Sequence, residues 1–494
     1  MMKRFLLLVF SFCGLVCAQQ LGASTTDVMI RLNDSVQVPL SDIINCNLPV
    51  LCFETNDGVE PTCEFVKAPT GCIGSTINAE KVPGRLVMHQ LVDGRDSVLY
   101  DSGDYEKSVS GMTIRVRGNT SAREDKKPYK IKLQKKFDLL MRGVDSVYKD
   151  KDWLLMRDDH LFTTNSFWVN RYVGVPWVPS HHYVNVIING SYRGVYLLCE
   201  SVERNPHCRL NVDKDWGFVF ECDAYWWNEP VYVLSKYQRP KYNYTFKYPD
   251  EDDITEEQLA YAQRMVNDYE TIIRTADYPT MIDVRSFAAW TLVHDIVGTK
   301  DGGGANRFYM KYDSTSQSKI YMPLAWDFDL VERTEGAWSR PHLKYMTELF
   351  DNPNKAFVSE FVRLWCEIRE TFLQDIKSYM YGLLTTPEGL AMDASYAYEN
   401  QVWNTTHDLN VKVIWRYYWF NDRYEWLDSH ILALRVPNDV NLDGVVDIVD
   451  VATLINGVLG KGEYYRVCAD VNNDGQVDIT DVSKLINLLL GRAD

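Results

Sequence analysis

The chain has no surplus of positive charge: 52 Lys and Arg stand against 68 Asp and Glu, a net charge of −16. Without a basic surplus to displace phosphate counterions, the composition argues against nucleic-acid binding. The chain also lacks any CxxC pair among its 11 cysteines, so metal binding by thiolates lacks its usual spacing. After residue 18 no apolar run is long enough to span a membrane. Disorder is excluded by what is there: 46% hydrophobic and 13% aromatic residues describe packed cores. A length of 494 residues implies two or more of them.

The N-terminus points to export. Lys3-Arg4 is a positive start, Phe5 to Val16 is apolar, and Val16-Cys17-Ala18 ends in small residues suited to cleavage before Gln19. Residues 1–18 thus read as a signal peptide; lipidation at Cys17 is the rival reading, poorly supported by Gly14-Leu15-Val16. Nine cysteines remain. Cys46, Cys52, Cys63 and Cys72 cluster and are expected to form disulfides, Cys199, Cys208 and Cys222 group loosely, and Cys366 and Cys468 are isolated.

Asp301-Gly-Gly-Gly-Ala-Asn306 is the densest chemical signal, followed by Trp326-Asp327-Phe328-Asp329. An Asp and an Asn five apart on a tight loop, with a later Asp, is a spacing that phosphoryl transfer uses. The first carboxylate takes or orients a hydroxyl proton, and the other two hold metal ions. Segments 307–312 and 319–325 read as a hairpin that would deliver Asp327 beside Asn306.

Strands are expected at 50–53, 85–88, 112–116 and 129–133, the last with Tyr129, Ile131 and Leu133 on one face and Lys130 and Lys132 on the other. A strand at 153–156 leads to a helix near 165–172. Asn189-Gly190 between apolar runs predicts a hairpin of 183–188 and 194–200. Helices are expected at 256–274, 284–297 and most of 357–434. Residues 19–48 read as a leader with little periodicity.

Beyond Pro437 the composition changes, with ten acids against four bases from Asp439 to Asp494. Asp439, Asn441, Asp443, Val445 (through its carbonyl), Asp447 and Asp450 place oxygens as a calcium loop does, with Gly444 at the sharp turn. Asp470, Asn472, Asp474, Gln476, Asp478 and Asp481 repeat the pattern, and each loop runs into an apolar helix. Asp at the last position departs from the EF-hand proper, which has Glu there. The duplicated unit, over 437–494, resembles a dockerin. That resemblance implies two Ca²⁺ ions and a cohesin-bearing scaffold partner.

The larger part carries a second resemblance. Arg115-Val-Arg-Gly-Asn119, Lys126-Lys-Pro-Tyr-Lys-Ile-Lys-Leu133, Lys151-Asp-Trp-Leu-Leu155, Gly194-Val-Tyr-Leu-Leu-Cys-Glu200, the Asp301 loop and Pro323-Leu-Ala-Trp-Asp-Phe-Asp329 occur in the order of the CotH (spore-coat protein H) kinase family. The resemblance spans about residues 49–434. It implies an α+β, atypical protein-kinase-like fold with a strand-rich N-terminal half and a helix-rich C-terminal half. It also implies transfer of phosphate from ATP, with Mg²⁺ or Mn²⁺, to Ser or Thr of a protein substrate.

Asp301 would then be the catalytic base, Asn306 and Asp327 metal ligands, and Asp329 a supporting or second-metal ligand. Lys127, Lys130 or Lys132 would grip the phosphates, Glu200 would pair with that lysine or help bind metal, and Arg115 or Arg117 would face the phosphates from the Gly118-Asn119 turn. The family's arginine before Asn165 is missing here, and three consecutive glycines make the Asp301 loop supple. A degenerate scaffold or adhesin is therefore the alternative, with Tyr225-Trp226-Trp227, Tyr242, Tyr244 and Tyr248 as candidate stacking residues. A glycosidase ranks last, since an extended strand would put Asp327 and Asp329 side by side instead of flanking a bond.

Overall fold

The computed structural model describes residues 28–143, 146–300, 307–332 and 336–492. The expected signal peptide, Cys17, Asp301 and Asn306 lie outside the described residues.

Seven strands close into a barrel. Around it run Asp150–Met156, Tyr129–Phe137, Met112–Val116, Val82–Val92, Val50–Thr55, His181–Ile188 and Ser191–Glu200, the last pairing back with the first. Apolar alternation drives this closure, because each strand turns every second side chain inward. Leu51, Ile114, Ile131, Trp153, Val186 and Leu198 fill the interior. Tyr129, Ile131 and Leu133 point in as expected, which leaves Lys130 and Lys132 outside. The Asn189-Gly190 turn has both residues at positive φ, 47° and 69°, the geometry that matches strand twist.

The barrel's outer face is not free. Leu154, Met156, Val195, Leu197 and Cys199 pack into a second core with the helices Phe162–Val173, Glu256–Ile272, Val284–Val297, Ala356–Gly382 and Leu409–Leu432. A five-stranded antiparallel sheet joins that core in the order Tyr232–Val233, Asn243–Tyr248, Phe218–Asp223, Arg307–Lys311, Ile320–Tyr321. The chain is thus α+β, strands dominating its first half and helices its second. Among the described residues no helix is long and apolar enough to cross a membrane.

Three expectations change, and the sugar-stacking alternative loses support. The strand read over 319–325 shrinks to Ile320–Tyr321, because Pro323 has no N–H to donate to a ladder. The supposed leader is folded from Val28 onward: Ile30, Leu40, Ile43 and Ile44 bury themselves against Val50, Ile187 and Tyr192. The aromatic stretch 225–248 is largely structural, with Tyr244 fully buried and the Trp227 indole donating to the Ile73 carbonyl at 3.4 Å. Cys46, Cys52, Cys63 and Cys72 are free thiols. They are distributed over the exit of helix Leu40–Ile44, two strands and a turn, so a shared cluster in sequence is not a shared place in space.

The C-terminal unit sits on helix Ala356–Gly382. Ser359 donates to Asp439 Oδ2 at 2.8 Å, and the Arg363 guanidinium reaches the carbonyls of Asn441 and Leu442. Its own core is built by Val440, Val451, Leu454, Ala469, Val471, Val482 and Leu485.

One buried ion pair ties barrel to helices. Glu399, on helix Pro387–Trp403, accepts from the Lys126 ammonium at 2.5 Å and from the Val195 N–H at 2.9 Å. Only 1% of Glu399 is exposed. Glu399→Ala would leave buried Lys126 with Asp159 as its remaining carboxylate and the Val195 N–H without its acceptor, a loss of up to about 3–5 kcal/mol. Urea unfolding should show that loss as a lower midpoint with an unchanged slope.

Candidate active site

Strand register decides which charges meet. On the barrel's outer face Arg115 lies opposite Lys130, Lys130 opposite Leu154, and Leu154 opposite Cys199. Arg117 follows two residues after Arg115, at the turn where Gly118 takes φ 83°. A Cβ on Gly118 would sit 2.2 Å from Ser121 Oγ, so only glycine makes this turn. The Asn119 side chain is occupied by the Thr76 hydroxyl at 2.7 Å.

Asp327 and Glu221, on the strand Phe218–Asp223, come within charge-interaction range of Arg117. Burial lowers Arg117 below the ordinary guanidinium value, while Cys199, Asp327 and Glu221 pull it back up. Arg117, Asp327 and Glu221 are therefore near enough for their charges to interact. Asp327 is half-buried with φ 68°, between buried Trp326 and Phe328. The left-handed backbone turns the two rings into the core, where both lie against Phe167 at 5.7 and 6.1 Å. Asp327 and Asp329 accordingly do not project from one face of an extended strand. Asp329 is exposed yet crowded on one side. That crowding raises its carboxyl above the usual range, and Arg157 opposes the rise.

The lysines and Glu200 behave differently from expectation. Glu200 belongs to the inward-facing row, opposite Trp153, whereas Lys130 and Lys132 face outward, so no pair between them forms. Completely buried, Glu200 accepts from Arg142 at 2.8 Å and from the Ser180 N–H at 2.9 Å. Lys127 donates to the carbonyls of Ala122 and Glu124 at 3.1 and 3.0 Å and so staples a turn. Lys130 pairs with Asp152 at 3.0 Å and Glu203 at 2.9 Å. Lys132 is mostly exposed, with Asp152 at 3.8 Å.

Several residues escaped the sequence reading. Lys126 is the buried member of its Lys-Lys pair, held by Glu399 and by Asp159 at 2.8 Å. Asp159, Glu399 and His407 have metal-ligand spacing, and the Lys126 ammonium bridges the two carboxylates of that group. Lys412 lies over the Tyr396 ring at 4.0 Å with no hydrogen-bond partner for its amine among the described residues, and burial pushes it down to about 8. Glu221 and Lys247 form a 2.9 Å ion pair at the cleft. Asp223, two residues along the same strand, is pushed up to about 7 by burial and by Glu221. Asn165 is buried, and among the described residues neither of its amide atoms has a partner, a cost normally relieved by a ligand or water. Alternation of Phe218, Phe220 and Cys222 with Val219, Glu221 and Asp223 was the one signal that could have exposed this strand.

The family model described as CotH kinase protein matches residues 114–387, and the dockerin type I domain model matches residues 437–490. The chain belongs to the CotH kinase protein family. No curated protein matches it. The CotH match covers the barrel strands from Ile114, the cleft and the first helices of the second lobe.

The dockerin loops fold identically. Asp439 accepts from the N–H groups of Asp443 and Gly444 at 3.0 and 2.9 Å, and Asp470 from those of Asp474 and Gly475 at 3.1 and 3.0 Å. Asn441 and Asn472 cap the same two amides, and Asp443 and Asp474 accept from Val445 and Gln476. Asp450 and Asp481 are fully buried and close capping boxes with Asp447 and Asp478. Two acid-dense loops with oxygens turned inward are the donor set that Ca²⁺ takes, and dockerin type I domains bind it.

Asp223 sets a pH dependence for the CotH domain. Between about pH 4 and pH 7 its folded carboxyl keeps a proton that the unfolded one has released, so stability falls as pH rises through that window. Asp223→Asn should flatten this fall, seen as closer urea midpoints at the two ends of the window than in the parent protein.

Proposed function

We propose that the protein is an exported, ATP- and divalent-metal-dependent protein kinase of the CotH type, carried on a cohesin-bearing scaffold by its calcium-loaded dockerin. The nearness of Arg117 to Asp327, close enough for their charges to interact, supports this reading together with the family match. A phosphoryl-transfer site needs a hard-cation ligand and a fixed positive group within one Coulombic neighbourhood. Asp327, with Asn306 and Asp329, would hold Mg²⁺ or Mn²⁺; bound there, the ion would neutralise phosphate charge. Arg117 and Arg115 would face the phosphates, and Asp301 would take the proton of the acceptor Ser or Thr hydroxyl.

Phosphate grip by lysine is the weakest part of the family pattern in this chain. Lys127 and Lys130 are committed to carbonyls and carboxylates, which favours Arg117 for that role. The same commitment supports a second reading, a scaffold subunit that keeps the fold without transfer. Both readings retain the dockerin, whose symmetric exposed residues Ile448 and Ile479, 70% and 63% accessible, would face the cohesin.

A ligand that binds only the folded state raises its melting temperature as concentration grows. With calcium held saturating, ATP and Mn²⁺ together should raise the melting temperature of the full chain, and ATP alone should not. Transfer of labelled phosphate to casein or to the chain itself should fall about a hundredfold or more in Asp301→Ala and in Asp327→Ala. Nucleotide-independent melting with no transfer would leave the scaffold reading.

Calcium removal tests the other half. Chelation should lower the melting temperature of the C-terminal unit and abolish cohesin capture, since acid-dense loops lose their counter-charge. Asp470→Ala with Asp439→Ala should reproduce that loss in calcium-replete buffer.

A further inference from the structure

Lys126, Asp159 and Glu399 come from three separate parts of the chain and meet below the surface. Lys126 precedes strand Tyr129–Phe137, Asp159 lies between strand Asp150–Met156 and helix Phe162–Val173, and Glu399 is on helix Pro387–Trp403. The Lys126 nitrogen stands 2.8 Å from Asp159 Oδ1 and 2.5 Å from Glu399 Oε1. Its side chain is only 8% exposed, and the Tyr196 ring lies 5.1 Å from the nitrogen. An amine, a carboxyl group within its reach and a second carboxylate touching the same amine are the parts of an amide condensation. Holding them in one fixed geometry makes such a step effectively unimolecular.

Each carboxylate is held by its other oxygen. Arg157 reaches Asp159 Oδ2 at 3.1 and 3.2 Å, and Glu399 Oε2 accepts from the Val195 N–H at 2.9 Å. Asp159 Oδ1 and Glu399 Oε1 are thereby both left to Lys126. The two acids nevertheless differ. A guanidinium beside Oδ2 stabilises an oxyanion there more than one neutral N–H would. The Asp159 side chain keeps 15% exposure, so released water can leave, whereas Glu399 keeps 1%. Asp159 is thus the better electrophile and Glu399 the better proton carrier.

We propose that Lys126 and Asp159 condense, once the chain has folded, into an intramolecular amide, with Glu399 carrying a proton. The Lys126 ammonium first gives one proton to Asp159 Oδ1, which leaves an amine and a neutral carboxyl. The nitrogen then bonds to the Asp159 carboxyl carbon while Glu399 Oε1 takes a second proton from it. The displaced electron pair moves to Oδ2, where Arg157 faces the charge. Glu399 passes its proton to Oδ1, with acid oxygens of the two residues within 4.8 Å of one another. The bond from carbon to Oδ1 breaks, water departs, and Oδ2 becomes the amide carbonyl. One ammonium and one carboxylate become one amide and one water, and Glu399 ends as it began.

Burial opposes the Lys126 charge, and Glu399 and Asp159 sustain it. The amide carries neither charge, so condensation removes a desolvation cost that the ion pair only offsets. The bond would close residues 126–159 into a ring that contains two neighbouring barrel strands, at the end where Tyr129 pairs with Leu155. Cysteines among the described residues are free thiols, and this cross-link, unlike a disulfide, is indifferent to reductant. It holds whether or not the cleft transfers phosphate.

The test uses the full chain, reduced, alkylated, digested with trypsin and weighed. Peptides 124–130 and 158–171 should be recovered as one branched species, lighter than their sum by one water. Recovery of both unlinked, or of Lys126 joined to Glu399, overturns the proposal. A second measurement uses cyanogen bromide, which cuts after Met141 and Met156 inside the ring. Fragments 113–141 and 157–265 should stay joined on a reducing, denaturing gel, although the first contains no cysteine. Their separation in the parent protein overturns the proposal as well. Lys126→Arg should separate them, and so should Glu399→Gln, which keeps the side chain's shape. Fragments of Glu399→Gln joined as fully as the parent's would overturn the part given to Glu399.

Discussion

Strand alternation around a closed barrel is the constraint on which the rest of the structure depends. Once seven strands close, every second residue is committed to an interior of Leu, Ile, Val, Met and Trp, and its neighbours to the outside. The outside is not water, because the helices and the five-stranded sheet cover much of it. Charged residues forced outward by alternation therefore meet partners from the second lobe or line the cleft. Arg117 finds itself opposite Asp327 and Glu221 for this reason. Glu200, one residue out of phase, is sent inward to Arg142.

Buried charge pairs then set the relative placement of the parts. An ion pair out of water is costly to break and tolerant of few geometries, so Lys126 with Glu399 and Asp159 fixes the turn before strand Tyr129–Phe137 to helix Pro387–Trp403. Gly194 sharpens that constraint. Its φ is 99°, and an added Cβ would lie 3.0 Å from the Glu399 carboxyl carbon. A backbone position that only glycine fits easily thus abuts the helix that supplies the counter-charge. The pair fastens the helix to the barrel at that point.

Much of this was legible before the fold was seen, and the failures have physical causes. Strand Met112–Val116 and helix Val284–Val297 were read to the residue, because period-2 and period-3.6 patterns there face a single environment. The strands Phe218–Asp223 and Asn243–Tyr248 were lost in an aromatic-rich stretch, since aromatic side chains suit a strand, a core and a sugar platform equally. Glu200 was paired with the wrong cation because sequence spacing does not say which face a strand end presents. The Asp301 loop was the strongest sequence signal, yet its geometry lies outside the described residues, so the site rests on Asp327 and Arg117.

The two calcium loops show how an environment can divide what a sequence repeats. Asp439 and Asp470 make the same backbone contacts, and Gly444 and Gly475 share the same left-handed turn, φ 91° and 84°. Asp439, however, is almost fully buried and binds Ser359 of the CotH domain. A Cβ on Gly444 would come within 2.9 Å of the Ala356 nitrogen, whereas one on Gly475 would meet nothing. The first loop is therefore pressed against the helix Ala356–Gly382, and the second stands in solvent. The carboxylate expected to bind calcium in the first loop also fixes the interface, and burial raises it above the usual carboxylate range. A cation there would offset part of that cost and would couple calcium to the docking of one domain on the other, whereas one in the second loop would serve the dockerin fold.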